Sequence, residues 1–322
     1  MHVLIVKTSS MGDILQTLPA LTDATYAIPS IKFDWVVEEG FSEIPSWHPA
    51  VDRVIPVAIR RWRKNWFHAA TRQERYRFKK EIQCRTYNAI IDAQGLIKSA
   101  ALITRIAKGP LHGQDYRSAR EPLASWFFNH KHSISKTKHA VERMCELFAL
   151  SLEYNQPKSV KDYGISKHFF KYLTKNCGYY LVFVYGTTRN YKYWPENNWR
   201  QLISLIHYIG IKIKLPWGTK IDHQQALRLA DGFEHVEVLP RLSLHEIAII
   251  IAGARAVVSV DTGLSHLAAA LDIPNITIYG QTDPKLIGAY GNNQVACCSI
   301  NKNIKDLSPD MIVKLLLIYI TT

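Results

Sequence analysis

The sequence of 322 residues has few cysteines and no long hydrophobic run. Its five cysteines form no C-x-x-C pair, which argues against a disulfide framework or a zinc site and favours a reducing compartment. No stretch approaches the ~18 apolar residues of a transmembrane helix. Lys7 and Asp13 interrupt the apolar start before it reaches the length of a signal peptide. We therefore expect a cytoplasmic protein without a membrane span.

Several motifs of common enzyme classes are also missing. The sequence contains no G-x-G-x-x-G fingerprint, which weakens the alternative of a nicotinamide-dependent oxidoreductase. It has no Asp-X-Asp pair, H-E-x-x-H motif, P-loop or nucleophile elbow. We therefore expect no metal ion and no bound cofactor.

Acidic residues are scarce relative to basic ones. The chain has 40 Lys and Arg against 27 Asp and Glu, a net charge of +13. Residues 60–85 hold ten of these cations and only two carboxylates. The surplus predicts an anionic partner, which is a nucleic acid, a membrane surface or a phosphorylated molecule. No RRM, KH, C2H2 or helix-turn-helix signature supports the nucleic acid, so that alternative is the weaker one.

Short apolar runs alternate with amphipathic stretches along the whole chain. Such alternation predicts parallel sheets covered by helices on both faces, the α/β class. Strands are expected near 2–6, 33–37, 53–57, 89–93, 179–185, 211–215, 236–239, 256–260 and 275–279. Helices are expected near 13–27, 71–84, 96–107, 137–150, 196–209, 220–231, 243–253 and 263–271. The polar segment 151–165 is typical of a linker, which predicts domains at 1–155 and 156–322. A helix from about 308 ends the second domain and could pack back on the first.

Ligands of such sheets bind where strands pass into helix N-termini. After the first strand, Asp13 is equally suited to be a helix N-cap or a general base. Gln94 and Lys98 follow the fourth strand and suit an anion, although a plain turn with a solvated lysine is the simpler interpretation. In the second half, Lys192 supplies a charge suited to phosphate. The turn at 261–263 opens a helix whose free N–H groups suit a diphosphate.

Four segments together resemble the lipopolysaccharide heptosyltransferases. They are VLIVKTSSMGDILQTLPAL, IIDAQGLIKSA, TTRNYKYWPENNW and VVSVDTGLSHLAAALDIPNITIYG. The resemblance extends over essentially the whole chain. It implies a GT-B fold, with two Rossmann-like domains facing each other across a cleft. It further implies a metal-independent, inverting transfer of L-glycero-D-manno-heptose from ADP-heptose to the inner Kdo of Kdo2-lipid A. The alternative within the family is an enzyme that adds a later heptose.

The resemblance also implies roles for individual residues. Asp13 would be the general base, and Lys192 would stabilise the leaving diphosphate. Asp222 stands where we expect a longer Glu near the ribose, and Leu242 stands where we expect a Met beside the adenine. The donor-binding residues implied are Thr187, Thr188, Lys192, Asp222, Leu242, Asp261, Thr262, Gly263 and His266.

The basic segment 60–85 then belongs to the acceptor domain. Trp62 and Trp66 share a predicted helical face with Ile59, and cations flank them. We expect those cations to hold the carboxylates and phosphates of the acceptor, with the aromatic rings near an anionic inner-membrane surface. The simpler alternative is a solvated helix with its tryptophans in the core. The acceptor residues expected are Lys7, Ser10, Arg60, Arg61, Arg63, Lys64, Gln94, Lys98 and Arg120. We expect a monomer that is peripheral to the membrane and does not bind nucleic acid.

Overall fold

The computed structural model describes residues 1–157, 161–173 and 179–320. The chain divides into two compact units, residues 1–164 and residues 165–322. Each unit is a parallel α/β sheet with its own apolar core, and the two are described in turn.

The first unit contains six parallel strands in the order β3-β2-β1-β4-β5-β6. Its strands are β1 His2–Val6, β2 Lys32–Glu38, β3 Val51–Val57, β4 Ala89–Asp92, β5 Leu111–Gln114 and β6 His130–His132. Its helices are α1 Met11–Leu15, α2 Leu18–Ala27, α3 Glu43–Ser46, α4 Ile59–Trp62, α5 Ala69–Ile82, α6 Ile97–Leu102 and α7 Ala140–Leu152. The helix expected over 13–27 is thus two helices, and Pro19 lies in the first turn of the second one.

The second unit repeats the arrangement with the order β12-β11-β10-β7-β8-β9. Its strands are β7 Tyr180–Val184, β8 Lys212–Leu215, β9 Val236–Val238, β10 Ala256–Val260, β11 Asn275–Tyr279 and β12 Gln294–Cys298. Its helices are α8 Ser166–Phe170, α9 Glu196–His207, α10 Lys220–Ala230, α11 Leu244–Ala252, α12 Gly263–Ala270, α13 Pro284–Ile287 and α14 Pro309–Ile320. Counted within each unit, both sheets have the doubly wound strand order 3-2-1-4-5-6.

The cores follow from the spacing of apolar residues. After its first residue, His2, strand β1 is apolar and lies between two other strands, so Val3 to Val6 are fully buried. The arginine-rich helix α5 buries only Thr71, Phe78 and Ile82, which recur at helical spacing along one face. Helix α14 packs on α9 through the second core, where Ile312 and Leu316 are fully buried. The further packing of α14 on the first unit stays a prediction.

Three strands were not expected from the sequence, namely β5, β6 and β12. Strand β6 is the polar tripeptide HKH at the sheet edge, where His112 and His130 stack at 4.5 Å between ring centroids. Part of the expected linker at 151–165 also belongs to the first unit. Lys161 forms a buried ion pair at 2.6 Å with Asp23 of α2, which holds this segment on the first sheet's helices. Residues 158–160 of that expected linker lie outside the described residues.

Candidate active site

Both sheets have a topological switch point, where the strand order reverses beside the first strand of the unit. In the first unit this is the carboxyl end of β1 and β4, and in the second it is the carboxyl end of β7 and β10. Ligands of doubly wound sheets bind at such ends. We name them the first edge and the second edge.

Asp13 lies on α1 at the first edge. Ser10 precedes the helix, and both its backbone N–H and its hydroxyl donate to Asp13 Oδ2 at 2.8 Å. Asp13 is therefore the third helical residue of a capping box and not the N-cap, which is Ser10. The structure thus shows Asp13 in a capping role, and its role as a general base stays a prediction.

The charge of Asp13 is maintained by its neighbours. Burial by itself would raise the pKa of Asp13, but the Lys7 ammonium and the two Ser10 hydrogen bonds outweigh it and hold the pKa below the ordinary 3.8. Lys7 is buried, and its Nζ donates to the carbonyl of Ala93 at 2.8 Å. Burial is also the main reason why the pKa of Lys7 is lowered. Asp13 is therefore ionised at neutral pH.

Gln94 shapes the loop between β1 and α1. Its side-chain oxygen accepts from the backbone N–H groups of Thr8 at 2.9 Å and Ser9 at 3.2 Å. The buried Asp92 carboxylate similarly accepts from Gln94 N and Gly95 N, and the left-handed φ of +65° at Gly95 allows that turn. The structure therefore shows Gln94 supporting this loop, and its expected contact with an anion stays a prediction.

The basic segment begins at the same edge of the sheet. The backbone N–H of Arg60 donates to Glu38 at the end of β2, at 2.9 Å. Arg61 is already paired, at 3.0 Å with Glu39 and at 2.9 Å with Glu74. Four other expected acceptor residues are exposed: Arg63, Lys64, Lys98 and Arg120.

The expected aromatic face is wrong in part. Helix α4 ends at Trp62, so Trp62 and Trp66 do not share one continuous helix. Trp62 is buried in the core and its ring N–H donates to Glu74 at 2.7 Å. Trp66 lies under the guanidinium of Arg75 at 3.5 Å. The most exposed aromatic ring of this segment is that of Phe67, with 88% of its surface accessible, and Tyr76 is 58% exposed.

At the second edge, Lys192 and Asp261 meet. Lys192 Nζ lies 2.7 Å from Asp261 Oδ2, and the aspartate is nearly buried. Lys192 belongs to a short 3-10 turn that packs on Gly280 at the end of β11. A Cβ at Gly280 would lie 2.7 Å from the carbonyl oxygen of Tyr191. No sequence pattern indicates this requirement for glycine.

Helix α12 begins at the same edge with Thr262 as its N-cap. Within the described residues the Thr262 hydroxyl is buried without a hydrogen-bond partner. Ser265 Oγ donates instead to the Thr262 carbonyl at 2.7 Å. His266 follows in the first turns of α12 and is 8% exposed. The expected residues Asp261, Thr262, Gly263 and His266 are thus brought together at the start of one helix.

Asp222 lies over the loop that follows β7. Its Oδ2 accepts from the backbone N–H and hydroxyl of Thr219, and its Oδ1 would lie 3.3 Å from a Cβ at Gly186. Any larger residue at Gly186 would therefore press against this carboxylate. Thr187 and Thr188 follow directly. Thr187 is partly buried and Thr188 is exposed. Leu242 is partly buried just before α11.

Two polar residues at the first edge were not anticipated from the sequence, Gln114 and Arg143. Gln114 ends the unexpected strand β5, and Arg143 lies one turn into α7. Arg143 donates to the Gln114 side-chain oxygen at 3.4 Å and to the Ser118 carbonyl at 3.2 Å. Since neither residue belongs to a recognisable motif, only the pairing of strands places them here.

Two further properties concern the described part of the chain as a whole. It contains no group of three or more His, Cys, Asp or Glu side chains placed to hold a metal ion. Across the same residues, no helix combines the length and the apolar character needed to cross a membrane.

Comparisons with known proteins agree with this architecture. The model of glycosyltransferase family 9 (heptosyltransferase) matches residues 75–315. Lipopolysaccharide heptosyltransferase 1 of Salmonella typhimurium is 62% identical over 307 residues, which cover 95% of this chain and 97% of the relative. The Escherichia coli K12 protein of the same name is 60% identical over 314 residues, 98% of each chain.

Solved structures agree with this architecture too. The structure of E. coli heptosyltransferase WaaC with ADP has a TM-score of 0.97 at 59% identity, and the match covers 99% of this chain and 100% of that one. The structure of E. coli ADP-heptose heptosyltransferase II shares the fold, with a TM-score of 0.81 at 20% identity over 100% of this chain and 99% of its own.

The two doubly wound sheets and their polar edges define a glycosyltransferase of the GT-B fold. The chain belongs to glycosyltransferase family 9, the heptosyltransferases.

Proposed function

We propose that this enzyme transfers L-glycero-D-manno-heptose from ADP-heptose to the inner Kdo of Kdo2-lipid A, with inversion at the anomeric carbon. The observation that carries the proposal is the ionised Asp13 beside Lys7 at the first edge, combined with the Lys192–Asp261 pair at the second. The name shared by relatives about 60% identical over nearly their whole length supports this choice of reaction. A structure of WaaC with ADP-2-deoxy-2-fluoro heptose supports the donor.

In the proposed mechanism, the oxygen of the acceptor hydroxyl forms a bond to the anomeric carbon of heptose. Asp13 accepts the proton of that hydroxyl. The bond from that carbon to the phosphate oxygen breaks, and ADP leaves with the electron pair. Because the pKa of Asp13 is held low, we expect the proton to move late, when attack has already acidified the hydroxyl.

The leaving ADP needs positive charge where its own negative charge grows. We assign this task to Lys192 and to the N–H groups at the start of α12 around Thr262 and Gly263. Lys192 is paired with Asp261 in the structure, so the diphosphate competes with that carboxylate for its ammonium. The ribose contact of Asp222 and the adenine contact of Leu242 are parts of the same proposal. No metal ion takes part in it.

We place the acceptor at the first edge, with Lys7, Ser10, Arg60 and the exposed cations around them as its anion contacts. The basic segment and the exposed Phe67 ring would rest on the anionic inner-membrane surface. The proposal includes a cytoplasmic, monomeric and peripheral enzyme. Membrane association is tested by sedimentation with vesicles that contain anionic lipid. The vesicles should carry the protein down at low salt and release it at high salt.

Product analysis by mass spectrometry tests the reaction itself. ADP-heptose is offered with Kdo2-lipid A and, separately, with its heptosylated form. The expected result is the addition of a single heptose to Kdo2-lipid A and none to the heptosylated form. Transfer only to the heptosylated acceptor would reject the proposal in favour of an enzyme that adds a later heptose.

A further inference from the structure

Gln114 and Arg143 form a polar recess at the first edge that the reaction described above does not use. Gln114 is 5% exposed at the end of β5. Arg143 reaches it from α7, with one terminal nitrogen 3.4 Å from the Gln114 oxygen and 3.2 Å from the Ser118 carbonyl. The amide and the guanidinium therefore lie side by side.

Each of these side chains also keeps a donor unused. Among the described residues, Gln114 Nε2 and Arg143 Nε are buried and have no hydrogen-bond partner. A buried N–H group without a partner is costly, so such a group in a native protein needs an explanation, for example an acceptor atom that binds there. These two adjacent donors have no acceptor. They therefore indicate a ligand that accepts hydrogen bonds.

The charges around the recess specify the sign of that ligand. Lys7 is close enough to Asp13, Arg120 and Arg143 for their charges to act on its pKa. Gln114 Oε1 and the Arg120 backbone N–H would lie 3.5 and 3.4 Å from a Cβ at Gly95, so Arg120 borders the same place. Three cations thus accompany two carboxylates, those of Asp13 and the buried Asp92, and the surplus of one positive charge favours an anion.

We propose that Arg143 and Gln114 bind a carboxylate of the acceptor sugar acid and so orient its hydroxyl toward Asp13. The inference rests on the proposed function, because Kdo is a sugar acid. A planar guanidinium with a neighbouring amide matches the planar, two-oxygen shape of a carboxylate. Burial in the recess, which also lowers the pKa of Arg143, strengthens the attraction to an anion. Both side chains act as positioning residues.

The test combines a variant with an altered substrate. Arg143→Gln and the wild type are assayed with Kdo2-lipid A and with the same acceptor after its Kdo carboxylates have been reduced to alcohols. A charge-assisted contact of this kind is worth about 10- to 100-fold in kcat/KM for the acceptor. The wild type should lose that factor on carboxyl reduction. With the natural acceptor, Arg143→Gln should have a kcat/KM lower than that of the wild type by the same factor. Reducing the carboxylates should lower the kcat/KM of Arg143→Gln by less than about a further threefold.

A second acceptor distinguishes the two anions that Kdo2-lipid A carries. When the lipid A phosphates are removed instead, both enzymes should lose the same factor. If Arg143→Gln remains fully sensitive to carboxyl reduction, or if only its sensitivity to the phosphates disappears, the assignment of a carboxylate is overturned. If the wild type transfers no heptose to Kdo2-lipid A, it is the proposed function that has failed.

Further controls separate positioning from folding. Gln114→Glu preserves the shape of the side chain but adds a charge that repels a carboxylate, so it should raise the acceptor KM and leave the ADP-heptose KM unchanged. Arg105→Gln makes the same replacement as Arg143→Gln on an exposed 3-10 turn of the same unit, and should leave both KM values unchanged. An equal rise in both KM values for Arg143→Gln and Gln114→Glu would indicate a structural role and reject the proposal.

Discussion

The first and second edges are built on the same strand order but manage charge in different ways. At the first edge three cations, Lys7, Arg120 and Arg143, outnumber the two carboxylates of Asp13 and Asp92. At the second edge the buried charge is balanced, because Lys192 is paired with Asp261. A sheet end with surplus cations selects an anionic group by charge. A sheet end with a balanced pair and a helix N-terminus accepts a diphosphate through directed hydrogen bonds.

The difference agrees with the chemistry proposed for each edge. A base at the first edge has to be ionised before the reaction, and Lys7 with Ser10 secures this by lowering the pKa of Asp13. A cation at the second edge is needed most when the sugar–phosphate bond breaks. Asp261 holds the Lys192 side chain in place through the ion pair at 2.7 Å. The predictions below are arranged from the largest expected effect to the smallest.

Removing the base at the first edge should have the largest effect. Asp13→Asn retains an oxygen that can accept from Ser10 but cannot take up the proton. We expect kcat to fall about 10²- to 10⁴-fold, the usual contribution of a general base. Steady-state rates with saturating ADP-heptose and acceptor measure it. Asp310→Asn, on the exposed start of α14, is the matched control.

The pH profile sharpens this prediction. Since the pKa of Asp13 lies below 3.8, the wild type should show no acidic loss of kcat/KM from this group above about pH 5. In Lys7→Gln the cation that lowers the pKa is gone, so the acidic limb should move to higher pH. A limb that stays in place in Lys7→Gln would show that Lys7 does not set the ionisation of Asp13.

Breaking the pair at the second edge comes next. Lys192→Met removes the cation and leaves Asp261 buried and unpaired next to the place of the diphosphate. We expect kcat/KM for ADP-heptose to fall about 10²- to 10³-fold. Adding Asp261→Asn should restore at least about tenfold of the loss in donor affinity, because the uncompensated charge is then gone.

The matched control for this pair is Lys314→Ala on the exposed face of α14, which should behave as the wild type. If the double variant binds the donor no better than Lys192→Met, the repulsion by Asp261 has been assigned wrongly.

A smaller effect is expected at the N-cap of α12. Within the described chain the Thr262 hydroxyl has no protein partner, so Thr262→Val breaks no hydrogen bond of the fold. We expect the free energy of unfolding to change by less than ~0.5 kcal/mol and the ADP-heptose KM to rise about 3- to 10-fold. Chemical denaturation and initial rates measure the two quantities. A large loss of stability with an unchanged KM would show a purely structural threonine.

The smallest effect concerns the exposed cations of the basic segment. Neutralising Arg60, Arg63 and Lys64 together should raise the acceptor KM about 3- to 10-fold at low salt, and less at high salt. Arg61→Gln should add little, because Glu39 and Glu74 already neutralise this guanidinium. If Arg61→Gln alone matched the triple variant, its ion pairs would have to open when the acceptor binds.

Much of this arrangement could be predicted from the sequence, because parallel strands buried on both faces are continuous apolar runs. His2–Val6 and Ala256–Val260 were located to the residue, and the turns after them contain the expected polar side chains. The three missed strands lack such runs. Pairing with neighbouring strands holds these three in place. They are LHGQ and HKH near one side of the first sheet and QVACC at the edge of the second.

The missed features of the site have a similar origin. The pairing of Arg61 with Glu39 and Glu74 joins three separate elements, so the charge pattern of residues 60–85 suggested a free cation where the fold provides partners. Arg143 looks like any solvent-facing arginine in the amphipathic pattern of α7. Its unused donor becomes visible only when β5 places Gln114 beside it.

The binding of ADP to Asp13→Asn and Lys192→Met, measured by isothermal titration calorimetry, tests the division of labour between the edges most directly. Chemistry does not occur in this experiment, so it reports only which edge holds the nucleotide. We predict that Asp13→Asn binds ADP within about twofold of the wild type and that Lys192→Met binds it at least about tenfold more weakly. Equal weakening in both variants, or weakening in Asp13→Asn alone, would contradict the account.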